Sequence, residues 1–393
     1  MVLYIGQNML KSLFINRLLK ETVFRLLSVV NRLVPKNDRL VLLYISNLGI
    51  RHSLVPIRKY LLDNHFERKY RIICGIESMK YKDNTPGVQF AGKFRSLLFF
   101  FRARHVFYTA GQIPIKPSRN QIVIHFSHGS ANFKKMGNMT DIGYGEQFYF
   151  TYITATSKLY VPIIMEEFRC PERSVKVIGD PQNDQILSFK KGNYDFSQYN
   201  KLIVWLPTYR QSDGYGKNDS NLSTLIPLFD DADYIQLNEL LVKYNIKLIV
   251  KLHISQICKE GMRCHFSHLS IYNHYEFIEE GYEVYHLVAD SDALIGDYSS
   301  ISLQYLLTDR PQGYVVPDLD DYCNNRGLVF DDPEKYMGGH IVKTKEQFYA
   351  FIEDLALNRD VYRDKRHWVT NQIFEFKDDN NCARAIELSE MYK

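Results

Sequence analysis

The stretch Asp292-Ala293-Leu294-Ile295-Gly296-Asp297-Tyr298-Ser299-Ser300 indicates a short buried strand that turns directly into a helix. Ser299 and Ser300 stand where a hydroxyl group can cap the start of that helix. The free N–H groups and the positive end of the helix dipole at such a turn can bind an anion, for example a pyrophosphate. Simple capping explains the two serines equally well, but it gives no reason for the preceding Asp297.

Strands alternate with helices on both sides of this stretch. The predicted strands are Leu40–Ile45, Tyr70–Ile76, His105–Thr109, Gln121–Phe126, Phe148–Thr154, Val175–Ile178, Leu202–Leu206, Ile246–Leu252, Leu269–Tyr272, Ala293–Ile295 and Gln312–Val316. This alternation predicts parallel sheets with helical crossovers, and a polar, turn-rich stretch at Lys190–Asn200 predicts a domain boundary. We therefore expect an α/β protein with two Rossmann-like, doubly wound domains, 37–195 and 196–393, which face each other across a cleft. Ligands of such sheets bind beyond the carboxyl ends of the strands.

Three further polar clusters follow predicted strands. In the first, His128 precedes Gly129, and a neutral imidazole on such an open backbone can take a proton from an attacking hydroxyl. In the second, Thr208 and Arg210 follow Leu206, and the guanidinium fork suits phosphate oxygens. In the third, His253 follows the strand that ends near Lys251. The alternative for each histidine is a satisfied core residue, and for Arg210 it is a surface loop.

Composition limits the class of protein. The chain has 393 residues, 45% of them hydrophobic and 24% charged, which predicts a well-packed globular protein. The net charge of +4 is too small for a general nucleic-acid binder. The six cysteines form no C-x-x-C pair, so we expect reduced thiols, and we do not interpret Cys264, His265 and His268 as a metal site.

The first 36 residues read as a basic amphipathic segment. Seven lysines and arginines stand between Met1 and Arg39, against Glu21 and Asp38 alone, and apolar residues recur among them at three- and four-residue steps. Such a segment can lie in an anionic membrane interface, and the lack of balancing acidic residues favours this interpretation. The alternative is a helix packed on the protein's own core. No run of about 18 apolar residues predicts a spanning helix.

The order and spacing of these clusters resemble those of the CDP-glycerol glycerophosphotransferase family, the polymerases and primases of teichoic acids and related capsules. His128-Gly129-Ser130 through Lys134-Lys135-Met136-Gly137 is similar to that family's H-G-T-P-x-K-K-x-G, and Gly179 through Asp184 to its G-x-P-R-x-D. Pro207-Thr208-Tyr209-Arg210 resembles P-T-[FWY]-R, Lys251-Leu252-His253 resembles K-x-H-P, and Asp297-Tyr298-Ser299-Ser300 matches D-Y-S-S. The chain departs from these patterns at Ser130-Ala131, Gln182 and Ile254.

The resemblance implies a GT-B-like fold and a transferase of the teichoic-acid type, on the cytoplasmic face of a bacterial membrane. It implies that glycerol phosphate or ribitol phosphate moves from a CDP-polyol to a hydroxyl of a lipid-linked or polymeric acceptor, with release of CMP. His128 and His253 are the expected catalytic residues, with Thr208, Arg210, Asp297, Ser299 and Ser300 on the donor phosphates. The expected supporting residues are Gly129, Lys134, Lys135, Pro181, Asp184 and Arg326. We expect no metal and no cofactor besides the donor.

Two other functions remain open at this point. A GT-B glycosyltransferase that uses a nucleotide sugar would share the fold and the phosphate site, and would differ beyond the β-phosphate. A non-catalytic binder of anionic lipids would explain the first 36 residues but not two histidines after matching strands.

Overall fold

The computed structural model describes residues 22–392 apart from Ile142, Tyr144, 211–218, Ser223, Ser255 and 257–263. The chain divides into two compact units. The first unit comprises Met1–Ser130, Gly143–Gln182 and Asn380–Lys393, and the second comprises Ala131–Ile142 and Asn183–Asp379.

The first unit is built on a seven-stranded parallel sheet. Its strands are β1 (Asn37–Ile45), β2 (Arg71–Gly75), β3 (Val88–Ala91), β4 (Ala103–Thr109), β5 (Ile122–His125), β6 (Tyr152–Ala155) and β7 (Val175–Val177). They pair in the order β3-β2-β1-β4-β5-β6-β7. Apolar runs such as Leu40–Ile45 are buried because helices cover both faces of a parallel sheet.

Among the described residues, five helices belong entirely to the first unit: Val23–Leu33, Leu54–Asp63, Lys93–Arg102, Tyr160–Phe168 and Asn381–Leu388. The helix Asn381–Leu388 comes from the far end of the chain. Its Ala385 and Ile386 are buried in the same core cluster as Leu43 and Phe107 of the sheet. A further helix, Pro181–Ser188, contains the point where the chain passes from the first unit to the second.

The second unit has its own seven-stranded sheet. Its strands are β8 (Lys201–Trp205), β9 (Ile246–Lys251), β10 (Cys264–His265), β11 (Leu269–Tyr272), β12 (Ala293–Gly296), β13 (Gln312–Val315) and β14 (His340–Val342), in the order β10-β11-β9-β8-β12-β13-β14. All pairs are parallel except β10 with β11. The helices are Tyr234–Tyr244, His274–Glu279, Val284–Asp290, Ser300–Gln304, Leu319–Asn325, Lys345–Ala356 and Arg363–Ile373.

The two parallel sheets confirm the predicted α/β class, but the division of the chain differs from the predicted domains. The stretch Lys190–Asn200 is not a linker, because Asp290 accepts hydrogen bonds from the backbone N–H groups of Gly192, Asn193 and Tyr194 and so fixes it to the second unit. Residues 131–142, predicted to lie in the first domain, also belong to the second unit.

For the last residues of the chain, the difference from the predicted domains is the reverse. Asn380–Lys393 was assigned to the C-terminal domain and belongs to the first unit. The buried His105 of β4 hydrogen-bonds the Ser389 carbonyl oxygen through Nδ1 at 2.9 Å, and Arg104 pairs with Glu390 at 2.9 Å. These contacts join residues almost 300 positions apart, which no local pattern reveals.

The predicted basic segment 1–36 lies outside the described residues as far as Glu21. In the helix Val23–Leu33 that follows, Phe24 and Leu27 pack on the core of the first unit. Asn31 is buried and donates to the Lys116 carbonyl and to Gln121 Oε1. For this face the alternative of a helix packed on the protein's own core is therefore correct. Among the residues that the structure describes, no helix is long and apolar enough to cross a membrane.

Candidate active site

The predicted phosphate-site residues of the second unit follow three adjacent strands, β9, β8 and β12. Trp205 of β8 pairs with Val250 of β9 and with Ile295 of β12. Three residues beyond this row stand Thr208, His253 and Tyr298, so the parallel register brings all three clusters to one edge of the sheet. This arrangement is the one expected from the sequence.

Asp297 lies at the centre of this edge, and only 1% of its side chain is exposed. It accepts hydrogen bonds from the Thr208 backbone N–H at 2.8 Å and from the Thr208 hydroxyl at 2.5 Å. Arg210 Nη1 lies 2.6 Å from the same carboxylate. Asp297 therefore ties the loop after β8 to the loop after β12.

The structure places Arg210, a predicted phosphate contact, between two buried carboxylates. Its side chain is 3% exposed, and it donates to Asp297, to the Thr208 carbonyl and to Asp318. Burial alone would lower the pKa of Arg210, but Asp297 and Asp318 together raise it. A guanidinium engaged in this way holds the loops together and offers little to a ligand.

Lys134 is a cation of this edge, and among the described residues its ammonium group makes no ion pair with a carboxylate. Its Nζ lies 3.5 Å from the Thr208 hydroxyl and 5.9 Å from the ring centre of Tyr322, which stacks on Tyr298 at 4.0 Å. Burial lowers the pKa of Lys134 to about 8, although Asp297 and Asp219 act in the opposite direction.

The segment that carries Lys134 is fixed within the second unit. Phe133 is fully buried against Tyr314 and Phe330. The Lys135 N–H donates to the Gly327 carbonyl, and Arg326 Nη1 donates to the Lys135 carbonyl at 2.6 Å. Lys135 and Arg326, both predicted supporting residues, thus help to hold Lys134 in place.

His253 is exposed and lies two residues beyond the end of β9. Its ring centre is 4.9 Å from that of Tyr209, in the loop after β8. Ser299 occupies the N-cap position of the helix Ser300–Gln304, but its side chain makes no capping hydrogen bond. The prediction of serine capping is wrong in that detail, and the Ser299 hydroxyl is not used to close the helix.

In the first unit, His128 stands on an unusual turn after β5. The neighbouring Ser127 has a φ of 56° and Gly129 a φ of 138°, both in the left-handed region that favours glycine. The Ser127 carbonyl accepts from the Thr109 hydroxyl and from the Ala110 N–H, which fixes the turn on β4. This backbone presents the His128 side chain as exposed, so the alternative of a core histidine does not apply to it.

A buried carboxylate that the sequence analysis did not select, Asp180, holds this turn. Its Oδ2 accepts the Ser130 N–H at 2.7 Å, and its Oδ1 accepts the Ser53 hydroxyl at 2.9 Å and the Gln182 N–H at 2.9 Å. Asp180 therefore joins the loops after β1, β5 and β7. The feature of the sequence that could have identified Asp180 is its position between Gly179 and Pro181, directly beyond a strand.

The other predicted supporting residues, Gly129, Pro181 and Asp184, lie in a turn and in a helix of the fold. Pro181 is the first residue of the helix Pro181–Ser188, and Asp184 is buried in that helix. Gly129 supplies the left-handed turn beside His128. Asp318 is a second residue that the sequence analysis did not select. Within the described ranges, no three histidine, cysteine, aspartate or glutamate side chains form a metal-ligand group.

Two α/β units built on parallel sheets, with polar side chains gathered beyond the strands, are typical of proteins that bind their ligands at the strand ends. The family model described as CDP-Glycerol:Poly(glycerophosphate) glycerophosphotransferase matches residues 26–388. The chain belongs to that family, as the motifs of the sequence suggested.

Two relatives from Bacillus spizizenii illustrate the likeness. A teichoic acid ribitol-phosphate primase is 27% identical over 260 residues, which are 61% of this chain and 62% of the primase. A teichoic acid poly(glycerol phosphate) polymerase is 25% identical over 374 residues, which are 85% of this chain and 88% of the polymerase. The chain thus matches less than two thirds of the primase and most of that polymerase.

Among solved structures, the wall teichoic acid polymerase TagF has a TM-score of 0.69 at 17% identity, over 98% of this chain and 96% of TagF. A TagF variant soaked with CDPG has a TM-score of 0.67 at 15% identity, over 91% of this chain and 88% of that one. A putative UDP-N-acetylglucosamine 2-epimerase from Listeria monocytogenes reaches 0.54 at 10% identity, over 91% and 96%. At such identities the likeness concerns the fold alone, and the fold is shared with enzymes of other reactions.

Proposed function

We propose that this protein transfers glycerol phosphate or ribitol phosphate from a CDP-polyol to a hydroxyl of a lipid-linked or polymeric acceptor in teichoic-acid-like polymer synthesis. The observation that carries the proposal is the match of one glycerophosphotransferase family model to residues 26–388. The relatives named as primases and polymerases of glycerol and ribitol phosphate support both polyols.

In the proposed reaction, His128 accepts the proton of the acceptor hydroxyl. The acceptor oxygen forms a bond to the β-phosphorus of the donor, and the bond between that phosphorus and the bridging oxygen breaks. CMP leaves with the electron pair. The exposed position of His128 on a rigid turn supports this role, because a general base must reach the proton that it removes.

The second unit would hold the donor phosphates. His253 follows β9 at this strand edge, the Lys134 ammonium lies 3.5 Å from the Thr208 hydroxyl, and Ser299 and Ser300 follow β12. We assign Arg210, Thr208 and Asp297 to the frame of this site, because their polar atoms bond one another. Charge that develops on the leaving phosphate is stabilised best by such fixed donors.

We also propose that the first unit docks on the cytoplasmic face of a membrane. In the helix Val23–Leu33, a stripe of large apolar side chains is exposed on the side away from the core: Val23, Leu26, Val29, Val30 and Leu33, with Leu33 79% exposed. Three- and four-residue steps place them on one face, and Arg25 and Arg32 are exposed as well. Exposed apolar residues flanked by arginines are typical of an interfacial helix.

The helix Lys93–Arg102 repeats this pattern in the same unit. Phe94 is 90% exposed and Leu98 is 65% exposed, and Arg95 lies between them in the sequence. The chain just after the first helix contacts the end of the second, because the Lys36 ammonium donates to the Phe101 carbonyl at 2.6 Å. Both helices also pack on one core cluster of the first unit.

A basic cavity lies beside the first of these helices. Its volume is about 650 Å³, and Arg32, Lys36, Lys116 and Arg119 line it with no acidic residue among its described lining. Burial lowers the pKa of Lys36 to about 8, and its ammonium donates only to neutral oxygens of Asn31 and Phe101. Such a surface favours anionic lipid phosphates over zwitterionic ones.

Donor screening tests the proposed reaction. The full-length protein, on vesicles that carry a lipid-linked acceptor, should release CMP from CDP-glycerol or CDP-ribitol and extend the acceptor by a polyol phosphate. UDP-sugars should give no UDP. Release of UDP with sugar transfer would contradict the proposal and favour the glycosyltransferase, and absence of turnover with every donor would favour a non-catalytic lipid binder.

A further inference from the structure

A second histidine, His52, lies directly against His128 in the first unit. The two ring centres are 4.3 Å apart, and the ring planes are inclined by 52°. His52 belongs to the loop that follows β1, and its φ of 54° lies in the left-handed region. Residues other than glycine rarely adopt that conformation unless the surrounding structure imposes it.

The surrounding structure that imposes it is the Asp180 carboxylate. Ser53, the residue after His52, donates to Asp180 Oδ1 at 2.9 Å, and the Ser130 N–H, two residues after His128, donates to Oδ2 at 2.7 Å. One buried carboxylate thus holds both histidine loops at once. The contact between the rings is therefore part of a fixed framework and not a chance meeting of two exposed side chains.

His52 stays uncharged in this position. Its Nε2 atom is buried and has no hydrogen-bond partner among the described residues. The pKa of His52 is lowered to about 2, mainly by burial and to a smaller extent by His128 and Arg51. Arg51 on the same loop is a charged group that acts on His52, and the Asp180 carboxylate accepts hydrogen bonds from both loops.

We propose that His52 is a positioning residue for His128, a role that rests on the proposed role of His128 as the general base. The neutral ring covers one side of His128 and limits its rotation, so that the accepting nitrogen keeps one direction. Because His52 carries no charge, the imidazolium that forms on His128 lies against an aromatic ring and not against a second cation. The ring of His52, rather than its nitrogen atoms, is what this role requires.

The test compares His52→Ala with His52→Phe in the full-length protein. His52→Ala should lower kcat by about 10- to 100-fold, the usual effect of a misplaced catalytic group, with little change in the KM of the CDP-polyol. His52→Phe, which keeps a ring, should recover most of the activity. His65→Ala is the matched control, because His65 is another left-handed histidine of the first unit with a largely exposed side chain, and it should behave as wild type.

A second measurement does not depend on turnover. In protein with labelled histidine, NMR titration should show His52 neutral throughout pH 5–8. In His52→Ala the pKa of His128 should rise, since water reaches the side of the ring that His52 covered. An unchanged kcat in His52→Ala, an inactive His52→Phe that still folds, or an ordinary titration of His52 near pH 6.5 would overturn the proposal. If both His52→Ala and His128→Ala keep full activity, the proposed role of His128 as the general base is refuted instead.

Discussion

Replacing Arg210 with alanine should destabilise the second unit strongly. The Arg210 side chain is 3% exposed, and its partners Asp297 and Asp318 are 1% and 7% exposed. The substitution leaves two buried carboxylates without their cation, and breaking a buried ion pair from one side costs about 3–5 kcal/mol. It also removes the guanidinium from its place over the stacked rings of Tyr298 and Tyr322.

Tryptophan fluorescence can follow this effect in one unit alone. The chain has two tryptophans, Trp205 and Trp368, and both belong to the second unit. Because unfolding free energies of small proteins fall by about 1–3 kcal/mol per molar urea, a loss of about 3–5 kcal/mol should move the midpoint by about 1 M or more. The measurement is a urea titration of wild type and variant at pH 7.5.

Arg359→Ala is the matched control, because Arg359 is half-exposed and pairs with Glu353 and Asp354 at the surface. Its loss should cost less than about 1 kcal/mol. Adding Asp297→Asn and Asp318→Asn to Arg210→Met should recover part of the lost stability, because no buried charge then remains. If Arg210→Ala unfolds like wild type and yet loses affinity for the donor, the reasoning is refuted and Arg210 contacts the phosphates after all.

Four further outcomes are expected. His128→Ala should lower turnover by about 100-fold or more while calorimetry gives an unchanged donor affinity, and loss of that affinity would contradict the role of a base. Lys134→Met should weaken donor binding at pH 7 more than at pH 9, because the pKa of Lys134 is about 8, and an equal loss at both pH values would argue against a charge contact. The double variant Leu26→Ser and Leu33→Ser should float less with anionic vesicles but keep its activity on soluble acceptors, and unchanged flotation would contradict the docking surface. Burial lowers the pKa of His125 to about 4. The contribution of the neutral His125 to stability is therefore present above pH 6.5 and decreases by up to about 3 kcal/mol as the pH falls toward 4. His125→Leu should flatten this pH dependence in urea titrations followed by circular dichroism.

The fold was predictable because its signals are local. Buried parallel strands are short apolar runs, and the predicted strand Leu269–Tyr272 coincides with the observed β11. The strands β3, β10 and β14 were not predicted. All three lie at sheet edges, where few apolar residues are needed, and each has only two to four residues.

The division of the chain was not predictable, because it depends on contacts between distant residues. Phe133 follows the His128 turn by five positions, yet its ring packs on Phe330, and the backbone of Lys135 bonds Gly327. Sequence proximity to His128 suggested the first domain for this segment. Only the tertiary packing of Phe133 assigns it, and with it Lys134, to the second unit.

The candidate site was predictable as a set of positions but not as a set of roles. An arginine beyond a strand has the same sequence signature whether it binds a phosphate or a buried aspartate, and Arg210 does the latter. The difference lies in Asp318, which is 108 positions away. Residue type and spacing therefore locate the edge of the sheet, and the partners of each side chain decide what it does there.

Both units use a buried carboxylate in the same way. Asp180 collects a hydroxyl and two backbone N–H groups from three loops of the first unit, and Asp297 collects a hydroxyl, a backbone N–H and a guanidinium in the second. A carboxylate suits this task because it accepts several hydrogen bonds at once and is costly to leave unpaired when buried. The turn held by Asp180 carries His128, and the loop held by Asp297 carries Thr208, whose hydroxyl lies 3.5 Å from the Lys134 ammonium. A transferase has to hold a phosphate in one place and take a proton at another. Buried carboxylates behind exposed or half-buried basic groups meet this need, because the groups are then positioned before the substrate binds.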